Sequence, residues 1–306
     1  MAPLEDPSPP PEQTVRWVLE AVGPGGRLAS VRPLLGGSWH ANHAIDVLDR
    51  KGRLHQLVLR RWARSGWELA DPDFTAAREA RILELLVETL IPAPKLLAAD
   101  PAGTDCDVPA LLLTRIPGHP PGRPRDMDSF LQQLASALPL IHSVGGRAQA
   151  VVPGYRRYHE PEGLALPAWL PPSRVWERAF DVVRSPAPSG PSCFIHRDYH
   201  SGNTLWSHGL MTGVVDWTQA SWGPPSVDLG HMRWNLAAEH GADVADRFLD
   251  VYRRQTTGVF HHDPYWDVVT LVDLLADVNP NSPLPKADVL RLERYLAAIL
   301  GDRPQV

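Results

Sequence analysis

Apolar positions recur along this chain at two periods, and the change from one to the other divides it. After a Pro-rich opening over residues 1–11, read as a disordered tail, Val15, Val18, Leu19 and Val22 fall at helical spacing, with Gly23 placed to end the helix. Past Leu34 the pattern turns strand-like. Leu34 to His43 encloses Gly36, Gly37 and Ser38, Ala44 to Leu48 alternates, a turn lies over Asp49 to Gly52, and Leu54 to Leu59 forms an apolar run. A helix is expected from an N-cap at Asp71 or Asp73 through Leu86, with Ala76, Ala80 and Leu83 as its stripe. Glu79 lies on or beside that stripe, so its carboxylate faces inward and requires a cation. Lys95 to Ala99 and Pro109 to Thr114 complete five strands, predicted as one antiparallel sheet carrying one main helix.

From Asp126 the period becomes helical and stays so. Phe130, Leu134, Leu138 and Ile141 mark one helix face, which Gly145 and Gly146 are expected to end. A further helix is read near Val175 to Val183, then Asp228 to Arg254 as one helix, Pro264 to Asp277 and Ala287 to Leu300. The expected fold is α+β and bilobal. Residues 12–114 would form a sheet-bearing N-terminal lobe, 115–122 a hinge, and 123–306 a helical C-terminal lobe.

Composition narrows the class without naming a function. A hydrophobic share of 43% with 21% charged residues is that of a soluble globular chain. Nowhere do about eighteen apolar residues run together, and the first residues lack the apolar segment of a signal peptide, so no membrane partner and a cytoplasmic location are expected. Cys106 and Cys193 match no metal or redox spacing. A net charge of −5 without a basic stripe argues against a nucleic-acid partner.

Chemistry concentrates in one stretch. Cys193-Phe194-Ile195 is an apolar entry, His196 to Asn203 a polar loop, and Thr204 to Asp216 a hairpin ending on a carboxylate. His196, Asp198 and Asn203 have the form H-x-D-x-x-x-x-N, with Asp216 on the returning strand; a chance match is on the order of 0.002 per sequence of this length. Phosphoryl transfer asks for this set. Asp198 can take or orient the proton of a hydroxyl, while Asn203 and Asp216 offer hard oxygens to Mg²⁺ on a triphosphate. His196 is placed to brace the loop.

These residues resemble the aminoglycoside phosphotransferase and choline kinase branch of the kinase-like fold. Gly202 before Asn203, Trp217 after Asp216, and Pro225 followed by Asp228-Leu229-Gly230 all fit that pattern. The resemblance implies a phosphate-covering turn at Gly36, Gly37 and Ser38, a phosphate-binding cation on the strand ending in Arg60, and Glu79 as its partner. It also implies that Thr114 and Ile116 flank an inter-lobe hinge against a nucleotide base. Arg60 stands where the family usually has Lys, and strand alternation sends its neighbour Arg61 to the other face.

The reaction implied is transfer of the γ-phosphate of ATP or GTP, with Mg²⁺, to a hydroxyl of a small molecule, by a monomer or homodimer. Nine acidic residues against four basic ones between Trp217 and Asn281 suit an aminated acceptor such as an aminoglycoside. Trp217, Trp222, Trp234 and Trp266 offer aromatic surface that either stacks on an acceptor or fills the core. Macrolides, choline or ethanolamine, and homoserine are the other acceptor classes. The alternative function is a catalytically weak nucleotide-binding regulator, which Arg60 in place of Lys motivates.

Overall fold

The computed structural model describes residues 8–35, 40–64, 66, 73–256 and 261–301. Gly36, Gly37, Ser38 and Asp71 therefore lie outside the described residues. The chain forms two compact units, Met1–Gly118 with Thr212–Gln219, and His119–Met211 with Ala220–Val306.

In the first unit, helix α1 (Glu12–Val22) precedes strands β1 (Arg27–Leu34), β2 (Ala41–Leu48) and β3 (Leu54–Arg61). Helix α2 (Ala76–Leu86) follows, then β4 (Leu96–Asp100) and β5 (Ala110–Thr114). The five strands are antiparallel in the order β1-β2-β3-β5-β4. Period-two alternation sorts β3 by face. Leu57 and Leu59 pack with Val18 of α1, Ile45, Val47, Cys106 and Leu112 in one apolar cluster. Arg61, on that same side, ion-pairs with Asp107 at 2.6 Å, and Arg60 points the other way.

The helix boundaries correct two expectations. Thr75 caps α2, its side chain accepting from the Arg78 N–H, so the start falls later than an Asp73 cap would place it. In the second unit, the stretch read as one helix from Asp228 is two, α6 (Ser226–His240) and α7 (Ala242–Thr256). Gly241, at φ 102°, interrupts them in a conformation a helix cannot hold.

That unit also contains α3 (Met127–His142), a single-turn α4 (Ala148–Val151), α5 (Arg174–Arg184), α8 (Tyr265–Asp277) and α9 (Lys286–Ile299). Helix α3 buries the predicted face and ends at His142, ahead of the glycines expected to stop it. Strands β6 (Cys193–Ile195) and β9 (Ser221–Gly223) pair antiparallel, and β7 (Thr204–Ser207) turns through His208 and Gly209, both at positive φ, into β8 (Leu210–Val214). Helix α6 is central, buried over most of its circumference and packed against α7, α8 and α9. At Gly230 it approaches α8 so closely that a Cβ there would lie 2.6 Å from the Trp266 carbonyl oxygen. Both cysteines are buried and free. Among the described residues no helix is long and apolar enough to cross a membrane.

Candidate active site

In the first unit the predicted cation finds its partner and acquires a second. Arg60 Nε lies 2.9 Å from Glu79 Oε2, and Nη2 donates to Asp216 Oδ1 at 2.5 Å and to Thr218 Oγ1 at 3.0 Å. The Thr218 hydroxyl donates in turn to Glu79 Oε2 at 2.9 Å. One guanidinium thus ties β3, α2 and the segment after β8, as its planar fork of donors permits. Burial opposes the Arg60 charge, yet Asp216 and Glu79 outweigh it and raise its pKa. Burial likewise raises the Glu79 pKa, and Asp216 adds to the rise; Arg60, the Thr218 hydroxyl and the Trp217 N–H act against it.

Asp216 occupies left-handed backbone at φ 66°, which Asp tolerates better than most residues. Its side chain is about one-third exposed, unlike Glu79. His40 packs edge-on against Trp62 with ring centroids 4.5 Å apart. Burial, then the nearby Arg60, pushes its pKa well below the usual imidazole value. His40 and His43 are both buried, because the strand containing His43 starts directly after His40. Thr114 closes β5, donating its N–H to the Lys95 carbonyl, and Ile116 packs on Gly213, where a Cβ would meet it at 2.5 Å.

The second unit holds the loop after β6. Asp228, fully buried on the first turn of α6, accepts from the backbone N–H of His196 at 2.9 Å and of Arg197 at 2.7 Å. It also lies 3.1 Å from His142 Nε2. Between those two captured amides and Asp198 the chain passes through left-handed backbone at Arg197, φ 71°, a cost of about 1–3 kcal/mol for a non-glycine residue. The carboxylate brace offsets that cost. His196 is fully buried with its ring edge-on to Tyr199, so it supports the loop from beneath.

Asp198, held above this brace, is partly exposed. Asn203 Nδ2 donates to Asp198 Oδ2 and to its carbonyl oxygen, both at 2.9 Å, which fixes one oxygen of the carboxylate. With its amide nitrogen so engaged, Asn203 has Oδ1 as its remaining polar group for a ligand. The other Asp198 oxygen faces His231 Nε2 at 3.4 Å and His200 Nε2 at 3.9 Å. Sequence reading missed Thr218 and His231. Spacing could have signalled both, since Thr218 is two residues past Asp216 and His231 three past Asp228 on one helix face.

The five-stranded antiparallel sheet with its helix, and the helical unit containing the braced loop, define an α+β protein-kinase-like fold. Residues 31–269 match the phosphotransferase enzyme family, and the chain belongs to it. No curated protein matches the sequence. Solved structures are similar in fold at low identity. One is a thermostable mutant of aminoglycoside phosphotransferase APH(4)-Ia in ternary complex with AMP-PNP and hygromycin B, 15% identical with TM-score 0.64, over 97% of this chain and 100% of that one. Another is macrolide 2'-phosphotransferase MphH from Brachybacterium faecium, 19% identical with TM-score 0.57, over 94% of each chain. Amicoumacin kinase hAmiN, in complex with AMP-PNP, Ca²⁺ and Ami, is 15% identical with TM-score 0.58, over 96% of this chain and 94% of that one.

Proposed function

We propose that the protein transfers the γ-phosphate of ATP or GTP to a hydroxyl of a small molecule, with Asp198 as the group that takes the hydroxyl proton. The observation that carries this reading is the locked Asp198–Asn203 pair on a loop whose backbone amides Asp228 captures. Such an arrangement fixes a partly exposed carboxylate at one orientation, as aiming a hydroxyl in line requires. Asn203 and Asp216 would hold Mg²⁺. An amide oxygen and a carboxylate are hard donors, and Mg²⁺ is typically held by one or two carboxylates plus substrate phosphates. When bound, the ion neutralises charge on the phosphates. Among the described residues no group of three or more His, Cys, Asp or Glu side chains is set to hold a metal alone. Gly36, Gly37, Ser38, Arg60, Glu79, Thr114 and Ile116 are the proposed nucleotide-binding residues.

The acceptor is narrowed by the second unit. Of the nine acidic residues in the acid-rich stretch, Asp228 braces the loop and Asp267 is buried against Arg233 and His262. Trp217, Trp234 and Trp266 are buried and fill core, which leaves Trp222 as the half-buried ring of the four. The acidic surplus that remains favours an aminated acceptor. The names of the fold relatives, which include aminoglycoside and macrolide phosphotransferases, agree with a polyhydroxylated one.

The test is Mg²⁺-dependent transfer from ATP or GTP across aminoglycosides, macrolides, choline, ethanolamine, homoserine and sugars, with Asp198→Asn beside the wild type. Transfer should fall by roughly 100-fold or more in the variant. No transfer to any acceptor, with no nucleotide-induced thermal shift, sinks the reading. One observation favours the regulatory alternative: Arg60 is already bonded to Asp216, the proposed metal ligand. A nucleotide-induced shift without turnover would select that alternative.

A further inference from the structure

Asp198 is flanked on one oxygen by an amide and on the other by two imidazoles, and the imidazoles differ in kind. His200 accepts the Gly202 N–H on Nδ1 at 3.1 Å, so its ring proton sits on Nε2, 3.9 Å from Asp198 Oδ1 and beyond hydrogen-bond range. His231 is closer, and its ring is hydrogen-bonded to the Arg197 backbone. With Nε2 turned to Asp198, the nitrogen left for that carbonyl is Nδ1. The neutral ring then carries its proton on Nδ1 and presents a bare lone pair to Asp198 Oδ1 at 3.4 Å.

A lone pair facing an ionised carboxylate is unfavourable, and the contact becomes a hydrogen bond only when a proton lies between the two atoms. The ring is nevertheless held there. It stacks on His200 at 5.5 Å with 14° between planes and packs on Trp234 at 5.2 Å, and its position on α6 is fixed by the same helix turn that supplies the Asp228 brace. The arrangement suits the moment after Asp198 has been protonated better than the moment before.

We propose that His231 is a positioning residue acting through Asp198, receiving from it the proton of the acceptor hydroxyl; this rests on the kinase reading above. In the step, the acceptor O–H bond breaks as its oxygen bonds to the γ-phosphorus, and the nucleoside diphosphate leaves with the electron pair of the broken P–O bond. The proton passes to the Asp198 carboxylate and then to His231 Nε2, restoring the carboxylate and forming an imidazolium whose Nδ1–H stays on the Arg197 carbonyl. Burial, which outweighs the neighbouring Asp198 charge, lowers the His231 pKa to about 4. The ring is therefore neutral at neutral pH, and the imidazolium gives its proton up to water for the next turnover.

His231→Asn tests this, because an Asn amide N–H replaces Nδ1–H toward the Arg197 carbonyl while the Nε2 acceptor is lost. His231→Gln is the second variant, placing an amide against Asp198 that can donate but cannot take a proton. Single-turnover phosphate transfer should slow at least tenfold in both, with KM for the acceptor and the nucleotide-induced thermal shift unchanged. A wild-type transfer rate in His231→Asn overturns the relay while the kinase reading stands. Slowing accompanied by a raised KM and a lost thermal shift also overturns it, as damage to the loop. A wild type inert on every acceptor overturns the kinase reading and the relay together.

Discussion

Asp228 shows how one side chain can set the geometry of another that it never touches. Its two oxygens take consecutive backbone amides, at His196 and Arg197, and the left-handed turn they enforce is what presents Asp198. Asp228→Asn keeps the shape but halves the acceptor capacity and removes the charge, leaving a buried amide without a full partner. We expect a loss of about 3 kcal/mol in urea unfolding together with loss of transfer activity. A variant as stable as the wild type would refute the brace.

At the scale of elements, α6 and α8 meet at a glycine rather than at interlocking side chains. In an isolated helix Gly→Ala gains about 1 kcal/mol, since glycine gives up more backbone entropy on folding. Gly230→Ala should reverse that sign, because its Cβ would fall 2.6 Å from the Trp266 oxygen, 2.8 Å from the Trp266 carbonyl carbon and 2.9 Å from the Asp267 nitrogen, none of them able to swing aside. The helices would have to separate, disturbing the Arg233–Asp267 ion pair packed beside the contact. Thermal unfolding should show a net destabilisation of about 2 kcal/mol or more; a raised Tm would show that the helices part without strain.

For the molecule as a whole, pH dependence of stability should carry the signature of Asp273. This residue is 2% exposed, and burial pushes its pKa up to about 6, with Arg157 and His159 only partly opposing. A carboxyl whose folded pKa lies above its unfolded one favours the folded state in its protonated form. Its contribution is therefore complete below the unfolded value near 3.8 and is lost as pH rises through about 6. Asp273→Asn stays neutral and escapes that loss. The variant's Tm relative to wild type should accordingly be higher at pH 8 than at pH 5, by an amount equivalent to about 1–1.5 kcal/mol. A difference that does not change with pH would mean the carboxyl titrates alike in both states.

The sequence by itself determined what depends on period and spacing. Alternation along Val58 to Arg61 sorted the two arginines onto opposite faces, helical spacing turned Glu79 inward, and the His196, Asp198, Asn203 and Asp216 spacing marked the candidate site. These are local signals, fixed by backbone geometry over a few residues. Only the tertiary structure decided the partners. That Arg60 would hold Asp216 and Thr218 as well as Glu79, that Asp228 would brace a loop some thirty residues earlier in the chain, and that His231 would face Asp198 all depend on where distant segments come to rest. Such contacts arise from packing that minimises buried, unpaired polar groups across the fold, and no window of sequence contains both sides of them.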